Sequence, residues 1–140
     1  MRAEDRALAR REPELPGLAL LLDDEAFAAA LREALPDAGV RGARGTYVRH
    51  KAHTNCVVLF EVRTASGVHL LHARAERPDE MDKLGKTSGA GTVAGPLGAG
   101  SVLLAEHAVA ALAFPNDRDL PALPRLAGRR DGASVLAYKP

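Results

Sequence analysis

The sequence predicts an α+β fold: an antiparallel β-sheet of about five strands with flanking helices. Three observations point to it. A run of β-branched and aromatic residues from residue 46 to 76 is cut into three strands by very short links. An Asp-capped helix with one apolar face precedes that run. The length of 140 residues suits a single hydrophobic core, since such cores occupy about 100–150 residues.

Residues 1–14 alternate acids and arginines and run into Pro13 and Pro16, the composition of a frayed helix or mobile charged tail with little chemistry of its own. Leu18 to Leu22 is apolar and stops at Asp23 and Asp24, which marks a buried segment. In Glu25–Leu35, Phe27, Leu31 and Leu35 recur at helical spacing between an Asp cap and Pro36. Thr46–Lys51 and Asn55–Arg63 read as the first two strands, and Val58, Phe60 and Val62 put one apolar face of the second inward. After the turn at Thr64–Gly67 comes a third strand, Val68–Glu76. Links this short force antiparallel pairing, because parallel neighbours need a crossover of about a dozen residues or more. Pro78 opens a short helix over Asp79–Lys86, with acids early and lysines late as the helix dipole favours. Thr87–Gly100 carries Gly89, Gly91, Gly95, Gly98 and Gly100 and reads as a flexible loop. Ser101–Phe114 is apolar and reads as two short strands split near His107. Pro115, Pro121 and Pro124 mark an irregular exit, Arg125–Gly132 a basic linker, and Val135–Pro140 a strand-like stub.

Composition narrows the function classes. A net charge of +1 with dispersed basic residues gives no positive field for general nucleic-acid binding. No apolar stretch approaches the roughly 20 residues of a membrane span. The single cysteine, Cys56, excludes an internal disulfide framework and fits a reducing compartment, so the expected location is cytoplasmic.

Each candidate site has a plain structural alternative. The glycine loop follows a helix and leads into a strand, the reverse of the strand, loop, helix order of phosphate-cradling motifs. His50, His53 and Cys56 are three residues apart, as are His69 and His72. In an extended strand that spacing sends side chains to opposite faces, so no metal site is expected. Cys56 opens an apolar strand and reads as a small core residue rather than a nucleophile. Asn116-Asp117-Arg118-Asp119 reads as a turn whose side chains bond their own backbone, with a ligand site at the sheet edge as the alternative. Arg74 ends the apolar part of the third strand, and Asp79, Glu80 and Asp82 follow on the next helix, so its cation is expected to meet one of these carboxylates or a bound phosphate, with a solvent-facing salt bridge as the plain alternative.

Taken together, Tyr47-Val48-Arg49-His50-Lys51, Thr54-Asn55-Cys56, His72-Ala73-Arg74-Ala75, Asp82-Lys83-Leu84 and Phe114-Pro115-Asn116-Asp117-Arg118 form a pattern. The chain over residues 15–140 resembles the N-terminal region of proteins of the aminoglycoside phosphotransferase/choline kinase-like family. The resemblance implies a kinase-like small lobe, an antiparallel sheet with a helix. In such lobes a third-strand lysine holds nucleotide phosphates and pairs with an acid on the following helix. The equivalent cofactor-binding places here are Arg74 and Glu80. The H-G-D…N catalytic loop of that family lies in a C-terminal lobe and has no counterpart in these 140 residues, so no catalytic residue is expected. ATP and magnesium are implied only for a complete phosphotransferase. Residues 15–132 are then a small-lobe-like domain, 133–140 the start of a missing downstream segment near a Tyr138-Lys139-Pro140, and the partner a C-terminal catalytic lobe or a separate kinase chain. The alternative is a free-standing binding or protein-interaction module.

Overall fold

Asp23 sets the first fixed point of the fold. Its Oδ1 accepts from the backbone N–H groups of Glu25 at 3.2 Å and Ala26 at 3.1 Å, which starts a helix over Asp24–Ala34. The structure, a computed structural model, describes residues 1–87, 92–116 and 122. Four helices are seen in it: α1 (Ala3–Arg11), α2 (Leu18–Leu21), α3 (Asp24–Ala34) and α4 (Met81–Thr87). Five strands, β1 (Gly42–Lys51), β2 (Asn55–Thr64), β3 (Gly67–Glu76), β4 (Ser101–Leu104) and β5 (Val109–Ala113), form one antiparallel sheet in the order β1-β2-β3-β5-β4. The α+β fold expected from sequence is therefore present.

The sheet has one dry face. Cys56, Val58, Phe60 and Val62 from β2, Leu71, Ala73 and Ala75 from β3, and Val109, Ala111 and Ala113 from β5 point the same way, because alternate residues of a strand share a face. The helical segment α2–α3 covers them with Leu18, Leu20, Leu21, Phe27 and Leu31. Phe27 stacks on Phe60 with ring centroids 3.9 Å apart, the central contact between helix and sheet. Gly17 allows the chain before α2 to approach the sheet: a Cβ there would stand 2.5 Å from the His107 carbonyl oxygen and collide with Val109.

Strand β1 starts earlier than the sequence suggests, at Gly42 rather than Thr46. Two side chains of α3 account for it. Arg32 donates to the carbonyls of Val40 and Arg41, each at 3.1 Å, and Asp24 Oδ1 accepts from the Gly45 N–H at 2.8 Å. The register with β2 shifts between Gly45 and Tyr47, where Thr46 Oγ1 donates to the Leu59 carbonyl. The split of the late apolar run falls where expected, with a single 3-10 turn over Ala105–His107 and Ala108 in the left-handed region at φ 50°.

Asn116 ends the stretch described from residue 92. Buried, it donates from Nδ2 to the carbonyls of Val93, Gly100 and Ala113 and accepts from the Val93 N–H at 2.7 Å. That is the turn-and-packing role, for Asn116 itself. Asp117–Asp119, Gly89, Gly91, the prolines at 121 and 124, the basic linker and the C-terminal stub lie outside the described residues. Among the described residues no helix is long and apolar enough to cross a membrane.

Candidate functional site

Arg74 lies on the second face of the sheet, away from the dry core. Register fixes its neighbours: Arg49 on β1, Val57 on β2, Arg74 on β3 and Ala110 on β5 form one row across the sheet. The next row runs Tyr47, Leu59, His72, Leu112. Among the described residues, α4 packs on this face beside β5, with Leu84 against Ala108 and Ala110. Tyr47, Val68, Leu70, Leu103 and Phe114 are large apolar side chains on the same face, each more than two fifths exposed. Leu70 and Phe114 are neighbours in the ladder, while Tyr47 and Leu103 lie on the two opposite edge strands.

Arg74 does not meet the helix acid. Its guanidinium pairs with Glu76, two residues along the same strand and therefore on the same face. Glu76 is buried, so the pairing answers the desolvation of its carboxylate. Glu80 pairs instead with Lys83 one helical turn further on, and Asp79 takes Arg77 through two hydrogen bonds. The two cofactor-binding positions expected from the resemblance are thus on neighbouring elements but engaged with other partners. The partner at Glu76 was legible as a same-face, two-residue spacing on a strand.

Cys56 lies on the dry face and is fully buried. Burial pushes its thiol up to about 11, which removes the thiolate a nucleophile needs.

The histidines come together in a way strand spacing does not foresee. His50, next to last in β1, faces the dry side opposite Cys56. His53 sits at the tip of the β1–β2 hairpin in the left-handed region at φ 56°, which turns its side chain back toward the strands' end. Glu12, directly after α1, is buried between them, in the segment expected to be a charged tail. Its Oε2 accepts from the His53 backbone N–H at 2.8 Å and lies 3.3 Å from His53 Nδ1, and its Oε1 lies 3.6 Å from His50 Nε2. Glu14 adds a second carboxylate 2.9 Å from His53 Nδ1. The Glu14 hydrogen bond and the charge of Glu12 raise the His53 imidazole above its ordinary value. Sequence reasoning tested the histidines against each other and missed the acids, because nothing local links Glu12 to a hairpin 41 residues away.

Compared with protein-family models, curated proteins and solved structures, the chain matches none.

Proposed function

We propose that this chain is the N-terminal lobe or cap of a kinase-like phosphotransferase, contributing a wall of a ligand cleft rather than a reaction centre. The observation that carries the reading is the second sheet face. It has a helix on it beside β5, Arg74 and Arg49 in one row across it, exposed Tyr47 in the next row, and exposed Leu70 and Phe114 one row beyond that. A wall of that kind fits a helical catalytic lobe docked on the apolar positions, with the arginines at the cleft for an anionic group. Arg74 is already neutralised by Glu76, which supports a lobe that holds little nucleotide without its partner.

Phosphoryl transfer needs an acid to orient the hydroxyl and carboxylates to hold magnesium. In this reading both come from the partner lobe. The test is to read the DNA immediately downstream for a frame carrying an H-G-D…N loop and to co-express its product with this chain. A one-to-one complex is expected, with magnesium-dependent ATP turnover in the complex and none in the chain alone. Turnover by the chain alone overturns the proposal, and so does a downstream product that neither binds the chain nor needs it for activity.

A further inference from the structure

We propose that Glu12, Glu14 and His53 form a binding site for a divalent transition metal, best fitted by zinc, that staples the N-terminal segment to the β1–β2 hairpin. One ligand atom from each of the three residues lies within 4.8 Å of the other two. Zinc bonds to nitrogen and oxygen of ~2.0–2.1 Å place tetrahedral donor atoms about 3.3 Å apart. His53 Nδ1 is 2.9 Å from Glu14 Oε2 and 3.3 Å from Glu12 Oε2, so small side-chain rotations bring all three donors onto one ion.

Two observations beyond the cluster point to a cation. Glu12 has only 5% of its surface exposed, yet among the described residues no lysine or arginine ion-pairs with it. Beside the His53 backbone N–H its partners are imidazoles, charged only when protonated, and its neighbour Glu14 adds charge of the same sign. A buried carboxylate beside a second carboxylate is costly until a cation enters. The other observation is His50 Nε2, a fully buried nitrogen with no hydrogen-bond partner, 3.6 Å from the Glu12 oxygen that the ion does not need. Histidine there suits a positioning residue, its N–H closing on Glu12 Oε1 to orient the ligating carboxylate. Mixed imidazole and carboxylate donors of borderline hardness favour zinc over calcium or magnesium, which prefer all-oxygen shells. Glu14 and His53 are exposed on the solvent side, giving the ion a way in and leaving water the remaining position.

The experiment titrates zinc chloride into the chelator-treated full-length chain by calorimetry and follows the melting temperature. Binding of one ion per chain with a rise in Tm is expected. His53→Asn, which keeps a residue tolerant of positive φ, and Glu14→Gln leave the core untouched and should each weaken zinc by more than about tenfold. His50→Ala should weaken it less. X-ray absorption on the zinc-loaded chain should give a nitrogen and oxygen shell without sulfur. Absence of binding to the native chain, unchanged affinity in a His53→Asn/Glu14→Gln double variant, or a sulfur neighbour from Cys56 each overturns the assignment.

Discussion

The backbone N–H of His53 donates to the carboxylate of Glu12 at 2.8 Å, joining the end of α1 to the tip of the first hairpin across 41 residues of sequence. The contact orders the residue after an otherwise exposed helix, since α1 itself buries no residue completely.

Removing that acceptor tests its weight. Glu12→Ala leaves the His53 turn N–H without its acceptor, and is expected to destabilise the metal-free chain by about 1–3 kcal/mol. Chemical denaturation in the presence of chelator measures the loss. Hydrogen exchange should quicken at the His53 amide and through α1 while the amides of β2 and β3 change only by the global shift. Unchanged exchange at His53 would show that the bond contributes nothing in solution.

The fold was far more legible in the sequence than the site. Alternating Val58, Phe60 and Val62 announce a strand with one buried face, and Asp23 before Phe27 and Leu31 announces a capped helix, because these signals act over a few residues. The start of β1 was not legible, since Gly42–Gly45 has little strand character and is recruited by Asp24 and Arg32 from another element. The Glu12 cluster is the extreme case: a tail rich in arginines and acids carries no mark of which acid will be buried. Arg74 with Glu76 lay between the two, visible as a same-face pair yet hidden by the helix acids that follow it.

That pair makes a second prediction. Arg74→Ala leaves a buried Glu76 carboxylate without its cation and should cost about 3–5 kcal/mol at most, reduced by the partial exposure of the arginine, which is 29% exposed. The double variant Arg74→Met/Glu76→Gln removes both charges and should recover more than half of the loss in urea melts. Equal losses in the single and double variants would mean that Arg74 acts through packing rather than charge.

Cys56 provides a probe of the dry face. With its thiol pushed up to about 11 by burial, thiolate is scarce at neutral pH and the sulfur is shielded as well. Iodoacetamide at pH 8 is expected to label the native chain slowly and the urea-unfolded chain at the rate of a free thiol. Fast labelling of the native chain would show that the sheet opens locally at the start of β2.

Asp23 ties stability to pH in a direction the structure fixes. The N–H of Ala26 foremost, then the terminal amine of Met1, 3.5 Å away, and the N–H of Glu25 together hold its carboxyl below the ordinary aspartate range, outweighing the opposing effect of burial. A depressed folded-state value means that the contribution is fully present above the unfolded-state value of about 3.9 and disappears as pH falls through the lower folded one. At pH 7, Asp23→Ala is expected to cost about 1 kcal/mol as a lost helix cap. Urea melts of both proteins from pH 7 down to pH 2 should therefore converge at the acid end. Asp23→Asn, which retains an amide oxygen able to accept from Ala26, should recover much of the capping but none of the pH dependence. A constant gap between native and Asp23→Ala stabilities across that range would assign the effect of Asp23 to helix propensity alone and remove its charge from the account.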